Sequence, residues 1–416
     1  MGARGRFVAL FAADVVSALG TRVSMVAIPW LVLVTTGSAT KMGLVAAAEM
    51  LPYVLSGVLA APLADRFGVR RTTIVTDTAS ALAMAGIAAA PQLGFGSLLV
   101  LVAAAGATRG LGDRVKHVML RPLAEEAGIA LIRVTSAYEG FSRTAMLLGS
   151  AGGGLLIAWA GPLGAIWVDA ASFALCALVV AVLVRLPEDA FPRQTQDTRE
   201  PYLVALRGGF RVLWRDDLLP GMIAMLFVIN MFNQAGIAVF VPLWVEEVLH
   251  TPEALGLVLG AFAAGAVLGS VVFTAIAPKV PMYRTFMLGA LLACSPRLLV
   301  LGLTHDVVLV CVVSFLSGLA LAAVNPVLGA MLYERVPPEL QTRAFGVCTA
   351  ITFVGIPIGA VLAGLTVSGL GTDTGILVAG VVCVVATGTP WLWSRRRRTV
   401  PATTTRPPVA EVGETR

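Results

Sequence analysis

The chain has 416 residues, of which 57% are hydrophobic and 13% are charged, and its formal net charge at pH 7 is +6. Soluble proteins carry about 25% charged residues, so this composition, with a mean hydropathy of +0.87, excludes a soluble globular fold. Apolar stretches of about 20 residues recur along the chain, which is the length that an α-helix needs to cross a hydrocarbon core about 30 Å thick. The weak alternation over about ten residues that is typical of a membrane β-barrel does not occur. We therefore expect an all-α membrane protein.

Twelve apolar spans follow one another in chain order. They are predicted at Phe7–Thr35, Met42–Ala64, Thr72–Ala90, Ser97–Val118, Val134–Ala160, Leu163–Val184, Leu218–Val245, Leu255–Ala277, Tyr283–Leu303, Val307–Leu328, Phe345–Val367 and Thr374–Trp393. A polar stretch between the sixth and seventh spans separates two groups of six. The pattern predicts twelve transmembrane helices in two six-helix halves.

Basic residues are concentrated in alternate loops, which indicates the orientation of the chain. These loops carry Arg66, Arg70, Arg71, Arg114, Lys116, Arg121, Arg133, Lys279, Arg284, Arg335, Arg343, Arg395–Arg398 and several arginines between Arg185 and Arg215. The opposite loops hold one basic residue, Lys41. The positive-inside rule then predicts that both termini lie in the cytoplasm. The strong excess of Arg over Lys suggests a GC-rich bacterial genome, so we expect a multi-pass protein of a bacterial plasma membrane. Because topology accounts for the positive charge, we expect no nucleic-acid partner.

Four segments are predicted: a first helical bundle (1–185), a cytoplasmic linker (186–217), a second bundle (218–394) and a basic, disordered tail (395–416). The second part of the linker, YLVALRGGFRVLWRD, places Leu203, Phe210 and Leu213 on one helical face, with Arg207 and Arg211 on another. That pattern is typical of a helix lying on an anionic membrane surface. A simple connector with some helicity is the alternative.

The two halves also look like repeats. A shift of 213 residues aligns Arg66 with Lys279 and Arg71 with Arg284, and a shift of 206 residues aligns Gly149 in span 5 with Gly355 in span 11. Duplicated six-helix halves of secondary transporters hold their substrate between them, near the bilayer midplane. We expect the same arrangement in this chain.

Ionisable residues inside the spans are the main candidates for function, because a charge in hydrocarbon is costly unless it is paired or hydrated. The candidates for proton coupling are Asp14, Arg22, Glu49, Arg109, Asp113, Glu139 and Arg143. The Arg109–Asp113 and Glu139–Arg143 pairs have i, i+4 spacing, which places acid and base on one helical face. Two interpretations stay open for such pairs, proton coupling and the locking of neighbouring helices.

Three further charged residues in the spans have other interpretations. Structural roles are expected for Asp77 in span 3 and Asp169 in span 6. For Arg297 in span 9 the alternatives are snorkelling to the membrane surface and a partner that the sequence does not identify.

The second half contributes neutral polar residues instead. The candidates for the substrate cavity are Asn230, Asn233, Gln234, Ser314, Ser317 and Asn325. They would offer hydrogen bonds to a ligand in a largely apolar cavity. The five cysteines have no paired spacing, and no nucleotide-binding, metal-ligating or catalytic pattern occurs, so we expect a protein that is not an enzyme and has no cofactor.

The loop between spans 2 and 3 reads ADRFGVRR and contains Asp65, Arg66, Gly68, Arg70 and Arg71. It resembles the signature loop between helices 2 and 3 of the major facilitator superfamily of secondary transporters. The preceding region, VAIPWLVLVTTGSATKMGLVAAAEMLP, is similar to the drug-exporter branch that includes macrolide and siderophore exporters. The family's loop begins with Gly where this chain has Ala61.

The resemblance implies twelve helices, alternating access and a loop that latches the two halves together in the outward-open state, a role that falls on Asp65 and Arg70. It also implies a proton-driven exporter of an amphipathic small molecule, with Asp14, Glu49 and Glu139 as proton carriers and with Arg22, Arg109 and Arg143 as their counter-ions. The expected partners are the transported molecule, protons and the lipid bilayer, and we expect a monomer. An uptake or lipid-moving permease of the same fold, or a transport-inactive sensor or assembly partner, remains as the alternative.

Overall fold

The structure is a computed structural model that describes residues 2–89, 94–185 and 202–397. Within these ranges the secondary structure is helical throughout. The α-helices are α1 (Ala3–Thr36), α2 (Ala39–Phe67), α3 (Val69–Ala89), α4 (Phe95–Glu126), α5 (Leu131–Val182), α6 (Tyr202–Arg215), α7 (Leu219–Ala235), α8 (Val241–Val248), α9 (Pro252–Ile276), α10 (Met282–Leu303), α11 (Val307–Leu321), α12 (Val324–Arg335), α13 (Pro338–Leu370) and α14 (Thr372–Arg397). A π-helix, Gly236–Phe240, joins α7 to α8, and a 3-10 turn, Ala277–Lys279, follows α9. The predicted all-α class is confirmed.

Ten helical stretches in the described part of the chain are long and apolar enough to cross a membrane. One of them, Gly140–Val182, has 43 residues, about twice the length that a single crossing requires. It contains a break at Gly161, where φ is 72° and the next residue is Pro162. Glycine adopts this left-handed conformation without the steric cost that a Cβ imposes. The break separates the predicted spans 5 and 6, while the total of twelve spans stays a prediction because α2 is not among the ten stretches.

The helices pair in the same way in both halves. In the first half α1 packs along α5, α2 packs against α4, and α3 packs against α5. In the second half α7 packs against α13, α9 against α11, and α10 against α14. In terms of predicted spans, the pairs 1–5, 2–4 and 3–6 correspond to 7–11, 8–10 and 9–12. This correspondence is the three-dimensional form of the repeat that the sequence shift predicts.

The two halves meet through α2 with α13 and α5 with α9. Glycines allow close approach at both contacts: Gly154 of α5 lies against Gly256 of α9. Near the start of α2, the Thr40 and Ser368 hydroxyl oxygens are 2.7 Å apart. These contacts lie toward the end of the bundle where α2 and α9 begin, which is the predicted extracellular side. The halves are therefore closed against each other on that side.

The apolar side chains divide into a packed interior and an outer surface. The largest buried cluster includes Trp30 and Val32 of the first half and Phe240 and Trp244 of the second. Large hydrophobic residues are exposed on the outside, among them Trp159 with 86% of its surface accessible. An apolar outer surface of this kind requires a lipid environment.

The linker forms a helix where the sequence predicts one. In α6, Leu213 is fully buried, whereas the rings of Phe210 and Trp214 are about half exposed and stack on each other with centroids 4.5 Å apart. Arg207 and Arg211 are exposed. The predicted location of α6 on the lipid surface stays a prediction. The preceding part of the linker (186–201) and the tail predicted to be disordered, apart from its first residues in α14, lie outside the described residues.

Candidate functional site

A cavity of about 620 Å³ lies in the described part of the first half, on the side of the bundle opposite the closed contacts. Its walls come from α1, α2, α4 and α5. The lining residues are Asp14, Ala18, Thr21, Arg22, Met25, Tyr53, Gly57, Asp113, Arg114, Val115, His117, Val118, Tyr138 and Ser142. The cavity has the volume of a site for a drug-sized molecule, and its wall combines apolar, aromatic and charged groups.

A cluster of charged side chains surrounds Lys116 of α4, and two of its members, Asp14 and Asp113, line this cavity. The ammonium group lies 3.2 Å from Asp14 Oδ1, 3.5 Å from Asp77 Oδ1 and 3.6 Å from Asp113 Oδ1. Lys116 is 1% exposed, so one cation neutralises part of the charge of three carboxylates that come from α1, α3 and α4. Asp113 also accepts a hydrogen bond from the Tyr53 hydroxyl at 3.2 Å. We call Lys116, Asp14, Asp77 and Asp113 the lysine cluster.

A second charged cluster lies deeper in the first half, around Arg109. One guanidinium nitrogen donates to Glu49 Oε1 at 2.6 Å, and another contacts Asp169 Oδ2 and the Ser24 hydroxyl. The ring of Phe173 covers the guanidinium, whose central carbon is 5.0 Å from the ring centroid. All the charged groups are buried, with 5% or less of each side chain exposed. We call Arg109, Glu49, Asp169 and Ser24 the arginine cluster; it joins α1, α2, α4 and α5.

The pairing of the predicted coupling residues differs from what their spacing predicts. The i, i+4 spacing favours an Arg109–Asp113 pair, but the structure gives each residue partners on other helices. Arg109 is held by Glu49 and Asp169, and Asp113 belongs to the lysine cluster. Arg22 lines the cavity and has no carboxylate partner among the described side chains; its guanidinium lies 3.8 Å from Met25 Sδ.

Glu139 and Arg143 belong to α5, but their side chains lie outside the described residues. The predicted roles of this pair in proton coupling therefore stay predictions.

The six neutral polar candidates of the second half do not line the described cavity. Asn230 donates to the Thr352 carbonyl at 3.1 Å, a bond that joins α7 to α13. Ser314 and Ser317 are fully buried, and their hydroxyls have no hydrogen-bond partner in the described part of the chain. Asn233 and Gln234 are half-buried near the end of α7, and Asn325 is exposed. Their predicted contact with substrate stays a prediction.

The loop that carries the family resemblance is a tight turn at Gly68, where φ is 83°. Arg70 donates to the carbonyls of Val180 and Ala181 at the end of α5, within its own half. Arg66 lies over the ring of Phe67, with its guanidinium carbon 5.3 Å from the centroid, and Arg71 is exposed. The side chain of Asp65 lies outside the described residues, and the latching role stays a prediction.

Three central residues of the two clusters are not predicted as coupling residues by the sequence. Lys116 lies at the end of predicted span 4 and is counted with the basic residues of the following loop, but α4 continues to Glu126 and buries it. Asp77 and Asp169 are assigned structural roles, yet each lies in one of the clusters. The available signal is that both are carboxylates inside predicted spans, where an unpaired charge is not tolerated.

The comparisons with known proteins agree with this architecture. The family model of the Major Facilitator Superfamily matches residues 10–292 and 223–414. The chain is 31% identical over 398 residues to the multidrug efflux pump Tap of Mycobacterium tuberculosis, covering 92% of this chain and 91% of the relative. It is 28% identical over 395 residues to Tap of Mycolicibacterium fortuitum, covering 92% and 95%.

Among solved structures, the fold is similar to that of the nucleoside transporter NupG, with a TM-score of 0.77 and 11% identity over 94% of this chain and 99% of that one. A structural match at this identity shows the fold alone. Together with the family model and the curated relatives, it leads to one conclusion. The chain belongs to the Major Facilitator Superfamily and is a multi-pass membrane transporter.

Proposed function

We propose that this transporter exports an amphipathic small molecule across the bacterial plasma membrane by proton antiport. The observation that carries the proposal is the position of the lysine cluster, since carboxylates that can take up protons form part of the wall of a cavity of drug-sized volume. The efflux function named for the Tap relatives supports the direction of transport.

The cavity wall suits a ligand with both apolar and polar parts. Met25, Val115 and Val118 offer apolar surface, and Tyr53 and Tyr138 offer aromatic rings with hydroxyl groups. The charged and hydroxyl side chains of the wall add hydrogen-bonding groups. A wall with both kinds of surface is matched to an amphipathic drug or metabolite.

Asp14 is the proposed point where substrate and proton compete. Its carboxylate lines the cavity and lies 3.2 Å from the Lys116 ammonium. A proton on Asp14 removes one of the three negative charges that hold the Lys116 ammonium. Burial disfavours the charged form of a group that lacks such compensation. Binding of a ligand at the wall and binding of a proton then change the same electrostatic balance.

The arginine cluster links a second protonation to the contact between the halves. Glu49 belongs to α2, the helix that packs against α13 across the interface. When Glu49 is protonated, Asp169 still holds Arg109, so α2 loses a charged anchor while the rest of the cluster persists. A change in the position of α2 alters its contact with α13, and this is the proposed route from proton binding to alternating access.

The predicted orientation, with both termini in the cytoplasm, makes the closed side extracellular and the cavity side cytoplasmic. The structure then corresponds to an inward-facing conformation, which receives substrate from the cytoplasm. Outward release follows when the halves separate on the side now closed. We propose a monomer because one chain contains both halves of the pathway.

The test is efflux of a panel of dyes and macrolide-like compounds from cells that express the full chain, with and without a protonophore. Asp14→Asn and Glu49→Gln should lose active efflux but keep the exchange of labelled substrate for unlabelled substrate, because exchange needs no proton step. Glu139→Gln tests the third predicted carrier in the same assay. Asp373→Asn is the control, since this carboxylate lies in the first turn of α14 and is 55% exposed, so the variant should behave like the parent.

Two results would contradict the proposal. Unchanged dye retention in cells with well-expressed protein would exclude a broad drug exporter. Full active efflux by Asp14→Asn and Glu49→Gln would exclude both residues as proton carriers.

A further inference from the structure

The guanidinium of Arg297 in α10 is buried without a hydrogen-bond partner among the described residues. The residue is 1% exposed, and Nε, Nη1 and Nη2 all lack an acceptor in that part of the chain. A charge removed from water in this way is strongly unfavourable unless something compensates it. Arg109 in the first half is buried to a similar extent but is paired with two carboxylates. The two arginines therefore differ in their partners and not in their burial.

The second half has no acidic residue that could pair with Arg297 within the bundle. Its carboxylates are all close to helix ends, at Glu246, Glu247, Glu253, Asp306, Glu334, Glu339 and Asp373. Arg297 lies fifteen residues into α10 and six residues before its end. The thiols of Cys294 and Cys383 also lie near the guanidinium, but neither accepts a hydrogen bond from it. The second half therefore supplies no carboxylate for this group.

The surroundings of the guanidinium leave its donors free. The ring of Phe262 lies 4.5 Å from its central carbon, and this cation–π contact uses the face of the group and none of its five N–H donors. Gly236 lies directly beside Nη2, so that a Cβ at this position would overlap the guanidinium. A planar group with free donors along its edge is suited to an acceptor with one negative charge.

Two hydroxyl groups without partners belong to the same region. Ser314 and Ser317 of α11 are fully buried, and their oxygens have no hydrogen bond to any residue that the structure describes. Gly318, one turn beyond Ser314, packs on the backbone carbonyl of Phe262, the residue whose ring covers Arg297. Phe262 of α9 thus contacts both the guanidinium on α10 and the backbone of α11 next to Ser317, and the unsatisfied donors lie on two helices that pack against each other.

Gly236 opens the π-helix, and this element supplies a route to the group. The π-helix Gly236–Phe240 contacts α1 and α2 of the first half as well as α13. Short π-helical segments inside α-helices occur frequently at functional sites. Since this one separates Arg297 from the junction of the two halves, its rearrangement would expose the guanidinium to the transport pathway.

We propose that Arg297, with Ser314 and Ser317, forms a binding site for one anionic group, and that the site becomes accessible from the junction between the halves when the π-helix rearranges. The occupant is either a small inorganic anion or the carboxylate of a transported molecule, since both present one acceptor charge. The second of these sources rests on the proposed export function, whereas the first does not.

The binding test uses the purified full chain in detergent, in a buffer whose anion is the bulky gluconate. Chloride, nitrate or acetate is titrated while the thermal unfolding midpoint is measured. The parent should show a rise that saturates with concentration, and Arg297→Met should lose that rise. Arg284→Met, a change of an exposed arginine on the same helix, should keep it and so controls for general salt effects.

Two further variants keep the test decisive if Arg297→Met does not fold. Gly236→Ala places a methyl group at the guanidinium and should weaken the rise, as should Ser314→Ala. An identical rise in the parent and in Arg297→Met, or no rise with any anion, would overturn the proposal.

A transport arm separates the two sources of the anionic group. Efflux of a carboxylate-bearing compound is compared with efflux of its methyl ester. If Arg297→Met loses efflux of the acid but keeps that of the ester, the occupant is the carboxylate of the transported molecule. If both rates are unchanged while the chloride response is lost, the occupant is an inorganic anion. Failure of efflux in the parent would count against the export function and would leave the binding result to decide the anion site.

Discussion

The two halves of this transporter share a scheme of helix pairing and differ in where they place charge. In the first half, Arg109 and Lys116 are each surrounded by carboxylates from neighbouring helices. In the second half, Arg297 is buried to a similar extent and has no carboxylate partner among the described side chains. Duplicated packing therefore does not require duplicated electrostatics. One half pairs its buried cations with carboxylates, while the other buries an arginine without one.

The largest effect is expected from substitution of the two buried arginines, Arg109 and Arg297. Arg109→Met leaves Glu49 and Asp169 as buried, unpaired carboxylates, and breaking a buried pair in this way costs about 3–5 kcal/mol. Arg297→Met removes a charge that has no partner and replaces it with a side chain that packs well. In gluconate buffer, thermal unfolding should therefore show a large loss for Arg109→Met and no loss for Arg297→Met.

A double substitution sharpens this comparison. Adding Glu49→Gln to Arg109→Met should recover part of the lost stability, because one of the two unpaired charges is removed and Asp169 retains hydrogen bonds from Ser24 and Ser172. Equal losses for Arg109→Met and Arg297→Met would mean that the carboxylates do not distinguish the two sites. In that case both arginines would act mainly through packing.

An effect of intermediate size is expected at the junction between the halves. A Cβ at Gly154 would meet Gly256 and lie 3.0 Å from the Pro252 carbonyl oxygen, whereas a Cβ at Gly152 would meet nothing within 4 Å. Overpacking of a close contact costs about 1–3 kcal/mol, and about 1.4 kcal/mol changes a population ratio tenfold. Gly154→Ala should thus shift the population away from the closed junction, and Gly152→Ala should not.

The shift can be measured by the reactivity of a cysteine introduced at Thr40, whose hydroxyl faces Ser368 in the closed junction. A membrane-impermeant maleimide should label Thr40→Cys several-fold faster in the Gly154→Ala background than in the Gly152→Ala background. The native cysteines are replaced in both chains. Equal labelling rates would show that the Gly154 contact does not hold this side closed.

The smallest effect is expected at the start of the second half, where Asp216 caps α7. Its carboxylate accepts hydrogen bonds from the backbone N–H groups of Leu218 and Leu219 at 2.8 and 2.9 Å and from Arg335 at 2.7 Å. Partial burial opposes the charge, but the backbone donors and the Arg335 guanidinium outweigh it and lower the pKa of Asp216 below its usual value.

Because the folded-state pKa is lowered, the stabilisation by Asp216 is complete above the unfolded-state pKa of about 3.9. It is lost as the pH falls through the folded-state value. Asp216→Asn should cost about 1 kcal/mol or less at pH 7, and its unfolding midpoint should approach that of the parent below about pH 4. A gap between the two midpoints that stays constant from pH 7 to pH 3 would show that the charge on Asp216 contributes nothing.

Much of the site could be predicted from residue type alone. Asp14, Glu49 and Arg109 are charged residues inside apolar spans, and each lies in one of the two clusters. The same reasoning did not identify Lys116, because it lies at the end of a predicted span and is counted with the basic residues of the following loop. It also predicted an ion pair between Arg109 and Asp113, because spacing along a helix identifies only neighbours on the same helix.

The sequence by itself determined the class, the positions of the helices and the family, since hydropathy, turn residues and the ADRFGVRR loop are local properties. Only the tertiary structure decided which carboxylate meets which cation and that Arg297 meets none. The physical reason is that a hydropathy pattern shows where a chain crosses the bilayer, but lipid is as apolar as the side chains, so hydrophobicity does not set the rotation of each helix. Close packing of helices from distant parts of the chain sets that rotation, and with it the partners of every buried charge.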